Sequence, residues 1–410
     1  GQGFNDFGQR FVSSNHNHIR IPMYEYRYAE RNPYYDLPRA LVDIPIDGGA
    51  AEVYRISPEE PWRAMRMQWR ITGKARGGIE AGGRVSGYFT SACGLTVYRG
   101  DAFPAEFSNN VFVAEPANNL VHRKIVREQG ASLIAERAES EKHTEFLRSR
   151  DVWFRPTTLA NGPDGALYVG DMYRELIEDP MTIPEGIVKR LDLTAGNRMG
   201  RIYRVGPAGF RPRKGPRLSQ AGTAELVDTL SHPNAWHRET AARLLYERQD
   251  GSALSGLRSM VRSSRPPVAA LHALYTLHSL GILRVDDLIV ALANTDAHVR
   301  RHAIRLAEFL WTANKMSETD RAAIKSRLLE LAADPVAGVR YQLAFTLGAL
   351  GGGTAVGDAL FRILRRDFKD EWIRSAVLNS ANDNAGEVLG LVMQRPELRT
   401  SPESRMMIRE

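Results

Sequence analysis

Apolar and polar residues alternate in short runs over the first half of this chain and recur at helical spacing over the second. Up to about residue 206, runs of four or five largely apolar residues are separated by clusters of Gly, Asn, Asp and Pro, the pattern of many short strands. Residues 10–14, 53–56, 68–71, 95–98 and 110–114 are predicted strands, and 200–205 closes the series. The clearest hairpin joins 158–160 to 166–169 through Asn161-Gly162-Pro163-Asp164-Gly165. There Pro163 presets the turn entry and Gly165 supplies a positive φ. One segment breaks the pattern: 131–150 is rich in Ala, Glu, Leu and Arg, and its propensities predict a helical insertion.

Residues 207–220 are a predicted linker, because Gly206-Pro207, Arg211-Pro212 and Gly215-Pro216 interrupt any regular element. From about 221 onward Ala and Leu recur at helical spacing, as in Leu271, Leu274 and Leu277. A weak internal repeat runs through this half. A turn with Asp or Pro precedes a helix opening on an apolar residue followed by Arg, as at Val299-Arg300, Val339-Arg340 and Ile373-Arg374. His237-Arg238 and Val268-Ala269 are looser copies. Spacings of about 31 to 40 residues fall in the range of helical-pair solenoids, whose units bury their apolar faces by stacking. The repeated Arg is expected to pair with a neighbouring helix end, or with an Asp such as Asp296 or Asp334. The fold class is therefore multidomain, all-β over 1–206 and an all-α solenoid of HEAT-like character over 221–410.

Composition narrows function mostly by exclusion. Of 410 residues, 43% are hydrophobic and 25% charged, ordinary for a globular protein. The formal charge of +7 is scattered. Only Arg211-Pro212-Arg213-Lys214 is dense, and no aromatic residues interleave with it, so nucleic-acid binding gains little support. A single cysteine, Cys93, excludes an internal disulfide and a thiol-rich metal site. No apolar run of about 18 residues predicts a transmembrane segment. A phosphate-cradling Gly-x-x-x-x-Gly-Lys-Ser/Thr loop, a Gly-x-Ser-x-Gly nucleophile elbow and a Cys-x-x-Cys-His haem attachment are all missing. The chain opens on Gly1-Gln2-Gly3-Phe4 rather than Met and carries no signal peptide. A start behind a removed segment, or inside a longer protein, is expected.

Three constellations could carry chemistry. In Ser14-Asn15-His16-Asn17-His18, two imidazoles two residues apart on a strand would share a face. That arrangement suits a metal pair or a general base, and equally a polar strand-end loop. In Glu115–Arg123, Asn118-Asn119 is expected to turn a hairpin, with His122 and Arg123 on the return strand. Arg123 could hold an anionic group bidentately. The third comprises Trp153, Phe154, Arg155 and Pro156 with Asp171, Arg174 and Glu178. It fits either an ion-paired loop network or a polar binding site. Cys93 is expected to be a buried small residue.

The motifs Trp153-Phe154-Arg155-Pro156, Gly162-Pro163-Asp164-Gly165-Ala166-Leu167-Tyr168-Val169 and Asp171-Met172-Tyr173-Arg174 resemble a bacterial family. So do Ser91-Ala92-Cys93-Gly94, Tyr98-Arg99-Gly100-Asp101 and Asn119-Leu120-Val121-His122-Arg123. The resemblance is to the large membrane-bound dehydrogenase, or haem-binding CxxCH, proteins typical of planctomycetes. In these a propeller similar to glucose/sorbosone dehydrogenase precedes HEAT repeats and a cytochrome c domain. It implies that residues 1–206 are the C-terminal blades of such a propeller, since only about three or four of some six blades would fit. The chain would then be an internal section, inactive alone, of a periplasmic or cell-envelope protein. The implied activity is oxidation of a sugar-like alcohol by pyrroloquinoline quinone, with Ca²⁺ as Lewis acid, electrons passing to a haem c outside this chain. Within that frame His18 or His16 is the expected catalytic base, and Asp171 is expected to orient a base or an ion. Arg155, Arg174, Trp153, His122 and Arg123 are the expected cofactor contacts. The alternative is a non-catalytic scaffold whose helical surface binds a partner protein.

Overall fold

The computed structural model describes residues 1–212, 214–263, 266–396 and 398. Arg213 of the basic stretch and most of the predicted repeat region beyond 396 lie outside these residues. The chain is mixed β and α, with the sheets in the first half and the long helices in the second. Among the described residues the sheets close into no barrel.

Three antiparallel sheets follow one another along the chain. The first orders β1 (Gln2–Phe4), β2 (Arg10–Val12), β3 (Arg20–Pro22) and β4 (Leu41–Asp43). The second orders β5 (Cys93–Val97), β6 (Val111–Glu115), β7 (Leu120–Gln129) and β8 (Ser132–Glu136), with β9 (Leu147–Arg148) also paired to β7. The third orders β10 (Pro156–Asn161), β11 (Leu167–Asp171) and β12 (Arg201–Val205). Turn chemistry sets their registers. Asn119 takes φ 56 between β6 and β7, pairing Glu115 with Leu120. Gly165 takes φ 84 between β10 and β11, pairing Asn161 with Leu167, where a Cβ would strain the backbone. Gly165 also accepts a 2.6 Å bond from the Tyr98 hydroxyl, which ties the second sheet to the third.

Two predicted elements take the other form. Residues 68–71 are not a strand but the end of helix Pro61–Ile71. Pro61 sits in its first turn, a position helices accept, and Trp62 and Met67 are buried. Residues 53–56 form no strand. Conversely, 131–150 holds no α-helix, only a single 3-10 turn at Glu139–Glu141. Gly130 turns at φ 60, and β8 pairs with β7 from Gln129↔Ser132 to Ile125↔Glu136. Strand pairing overrides the local helix propensity of this segment.

In the second half, helices alternate between two layers. One layer stacks Ala235–Arg248, Pro267–Ser279, Ala297–Thr312, Ala337–Leu347 and Glu371–Ser380 in order. The other stacks Thr223–Thr229, Leu254–Arg262, Val285–Leu292, Glu318–Glu330, Thr354–Asp367 and Ala385–Met393. Side chains of Asn234, Asp296, Ser317 and Asp370 cap their own helix starts, satisfying amides that have no partner in the first turn.

The recurrent Arg links repeats. Arg300 is bidentate to Asp334, at 2.7 and 3.0 Å, and reaches the Asn294 and Thr295 carbonyls. Arg340 does the same with Asp367 and the Asp334 carbonyl. Asp296 instead caps its own helix. Arg374 reaches the Phe368 carbonyl. Arg238 turns to Asp6 in the first sheet.

The sheets lie against the first helical layer. Asn234 caps its helix and also donates to the Gly162 and Pro163 carbonyls. His302 bonds the Phe7 carbonyl at 2.8 Å, and Asp370 accepts from the Ala131 amide at 2.9 Å. One hydrophobic core runs through both halves, from Phe11, Ile19 and Ile21 to Leu306, Leu343 and Ile373. The expected division into separate β and α units is therefore not a division of the core. We expect Arg300→Ala to lower unfolding free energy by about 3–5 kcal/mol, because it strands the Asp334 carboxylate in a buried site. Urea denaturation of the two proteins measures this, and a loss within experimental error would contradict the ladder's structural role.

Candidate functional site

The β6–β7 hairpin brings the first two sequence constellations together. His122 and Lys124, two apart on β7, point to one side of the strand, and the loop carrying His18 lies across them. His18 is fully buried, stacked on Phe89 with ring centroids 4.1 Å apart and edge-on to His122 at 5.6 Å. Neither of its ring nitrogens has a hydrogen-bond partner. His122 is equally buried, and its Nδ1 meets the Glu145 carboxylate at 2.7 Å. That bond assigns the proton to Nδ1 and leaves Nε2 as a lone-pair acceptor with no partner. Arg137 holds the other Glu145 oxygen at 3.0 Å. Lys124 Nζ is bidentate to Asp47 at 2.6 Å.

Electrostatics keep both imidazoles neutral. Burial pulls the His18 pKa far below its usual value, and the nearby His122, Lys124 and Arg137 push the same way. Burial also lowers His122, although the Glu145 carboxylate opposes it. Such a dyad could accept a proton at His122 Nε2.

His16 does not join this group. It sits in the loop after β2, not on a strand, with its Nε2 3.8 Å from Glu80 and its side chain partly exposed. The expectation that His16 and His18 share a strand face is therefore overturned. The loop turns between them, one imidazole meeting solvent and the other the core. Among the described residues, no three His, Cys, Asp or Glu side chains form a metal-binding group.

The third constellation is a network of buried polar bonds. Arg155 donates to the carbonyls of Arg174, Pro116 and Glu175 at 3.1, 3.0 and 2.6 Å, and to Glu60 at 2.5 Å. Asp171 accepts from the Arg155 and Tyr173 amides at 2.7 and 2.8 Å, leaving Oδ2 buried without a partner. Arg174 fastens the loop at the Ala195 and Leu193 carbonyls. Arg123 pairs with Glu141 and lies over the Phe107 ring at 4.1 Å. Trp153 packs near Tyr173, its amide bonded to Asp151. The Cys93 thiol is pushed up to about 12, chiefly by burial, so it is no nucleophile near neutrality.

The structure adds residues that sequence patterns missed. Lys124 was findable, since it follows His122 with strand period. Glu145 lies in a segment whose composition suggested helix, and Asp47 and Phe89 belong to no motif. Glu115 is also new as an ionisable centre. It accepts from the Ser91 amide and hydroxyl at 3.1 and 2.6 Å and from Asn118 at 3.2 Å. Burial nevertheless raises its pKa to about 7.

The fold and these buried clusters define a chain of stacked antiparallel sheets backed by paired helices. It belongs to the family described as a domain of unknown function, DUF7133, whose model matches residues 1–209. No curated protein matches the chain. No helix among the described residues is long and apolar enough to cross a membrane.

These groups set opposing pH dependences. Histidines held neutral by burial, including His302 at about 3 and His272 at about 4, bind fewer protons than the unfolded chain below pH 6.5. Stability therefore falls as pH drops from 6.5 toward these values, by up to about 1.4 kcal/mol per unit for each group. Glu115 acts the other way. Protonated in the folded chain up to about pH 7 but ionised above 4.5 when unfolded, it loses its contribution as pH rises through that window. His18→Leu should remove one proton's share of the acid loss, and Glu115→Gln should flatten the loss between pH 5 and 7. Chemical denaturation at each pH reads both slopes, and slopes equal to the parent's would contradict the assignments.

Proposed function

We propose that the chain is a section of an oxidoreductase similar to the sugar and alcohol dehydrogenases its motifs resemble, and that this section binds and scaffolds rather than carries the redox centre. The reading takes the three sheets as consecutive propeller blades. Their support is that each is an antiparallel meander in chain order, packed on the next. It takes the two-layered helices as HEAT-like repeats, supported by the Arg300–Asp334 and Arg340–Asp367 rungs. In the parent protein, placed in the periplasm or cell envelope, electrons would go to a cytochrome c domain outside this chain.

One observation carries the scaffold role. The residues that chemistry nominated for the quinone point their donors inward, Arg155 above all, with Nε, Nη1 and Nη2 engaged by protein carbonyls and Glu60. They do not fit a group whose carboxylates need free guanidinium donors. The same holds for the expected base His18 and for His122, another expected cofactor contact. His18 offers its ring to Phe89, and His122 its Nδ1 to Glu145. A partner protein would meet the second helical layer, because the first is covered by the chain's own sheets.

The test is titration of the protein with pyrroloquinoline quinone and Ca²⁺, following quinone absorbance and thermal stability, with dye reduction by a sugar panel. We expect no turnover and no quinone binding that depends on His122 or Arg155. Saturable quinone binding that His122→Asn or Arg155→Lys abolishes in a folded protein would overturn the scaffold reading. Arg155→Ala is expected to cost about 3 kcal/mol or more of stability, since it leaves buried Glu60 with Arg63 as its remaining ion-pair partner and strips three carbonyls of their donor.

A further inference from the structure

The largest cavity described does not touch the histidine cluster. It is a cleft of about 420 Å³ at the seam between the first sheet, the β7–β8 turn and the first helical layer, a volume within the usual range of small-molecule sites. Its floor is apolar and aromatic. Tyr28 stacks on Phe345 at 4.3 Å, Tyr341 meets Phe345 edge-on at 5.2 Å, and Ile21 and Met23 complete the floor. The hydroxyls of both tyrosines are engaged elsewhere, Tyr28 with Glu308 and Tyr341 with the Met23 carbonyl. The rim is polar and exposed, with Tyr26, Arg10 and Glu128.

The charges in this cleft are unevenly matched. Glu25 is paired with Arg27 and Arg305. Glu128 lies 3.9 Å from His298. Arg301 is different. Its one hydrogen bond among the described residues is a long one, 3.4 Å, to the Phe7 carbonyl, and no described carboxylate lies within ion-pair distance of it. The guanidinium is half-buried and lines the cleft beside the aromatic floor, and Glu128, the carboxylate that most favours its charge, stands beyond ion-pair distance. Arg300, the adjacent residue, shows the contrast, being saturated by Asp334 and two carbonyls. Guanidinium donors that face a cleft can meet the acceptors of a ligand there.

We propose that this cleft binds a small carboxylate carried on a ring, the carboxylate held by the Arg301 guanidinium and the ring seated against the aromatic floor. The planar fork of Arg matches a carboxylate bidentately. Tyr341, Phe345 and Tyr28 give an aromatic lining suited to a ring face. Gln342, which lines the cleft and donates to the Tyr28 hydroxyl at 3.1 Å, is a polar group within the floor. Gly338 keeps the approach open. A Cβ there would have only the Arg301 Nη1 near it, at 3.8 Å. The inference does not rest on the blade reading, and its failure would leave the quinone result untouched.

The experiment is calorimetric titration of the whole chain with glucuronate and with 4-hydroxybenzoate. Each is compared with its neutral counterpart, glucose or phenol, and with sulfate alone. We expect at least one carboxylate to bind saturably and at least tenfold more tightly than both its neutral counterpart and sulfate. Arg301→Gln should weaken it at least tenfold, and Arg301→Lys by less. Gly338→Leu, a helix-compatible change that fills the space beside the guanidinium, should weaken it as Arg301→Gln does and keeps the test open if that variant misfolds. The proposal is overturned by an absence of saturable carboxylate binding, by a neutral ring or sulfate binding as tightly, or by unchanged affinity in folded Arg301→Gln or Gly338→Leu.

Discussion

The Glu308 carboxylate is buried at the seam between the sheets and the helices, and both halves converge on it. The Tyr28 hydroxyl donates to one oxygen at 2.9 Å, and Thr346 to the same oxygen at 2.6 Å. Arg31 and Arg27 approach the other at 3.0 and 3.3 Å. A charge so placed is tolerable only while all these donors stay in position. The acceptor comes from helix Ala297–Thr312, Thr346 from the next helix of the same layer, and the tyrosine and arginines from the segment after β3. The seam therefore fixes how the first sheet sits on the helical layer. Asn234, His302 and Asp370 repeat the device at other points along the layer.

This seam reorganises the expected relation between the halves. A solenoid normally presents one layer as an open binding face. Here the layer carrying Tyr341, Phe345 and Arg301 receives the chain's own sheets, so its open space is reduced to a cleft along the join. The cleft inherits aromatic faces from the tight packing and one guanidinium that the packing holds by a single long hydrogen bond among the described residues. The feature most suggestive of ligand binding is thus a product of docking two halves, and neither half alone contains it.

The buried polar clusters have a different logic. Arg155, Asp171, His122 and Arg123 occur where a binding site would be expected from residue type, yet each is bonded into the interior. Dense polar motifs near strand ends serve equally well to hold irregular loops, because loop carbonyls buried between sheets need donors. Arg155 bonding three carbonyls and Arg174 bonding two are direct examples. Residue identity alone does not separate these two uses. The direction in which the donors point does.

By itself the sequence determined whatever depends on a residue's own conformational limits or on a short repeat. Gly165 and Asn119 take the positive φ that their hairpins need, and Asp296 and Asp370 cap helices at the turns where they occur. The recurring Arg pairs across repeats at Arg300–Asp334, because the same helix start recurs with the same neighbour. Tertiary structure decided the rest. Residues 68–71 joined a helix, and 132–136 paired with β7 against their own propensity, since long-range pairing and burial outweigh a weak local preference. His18, Asp47, Phe89, His122 and Glu145 met only when distant segments packed. The cleft at Arg301 arose the same way, from segments hundreds of residues apart, and no local pattern records such proximity.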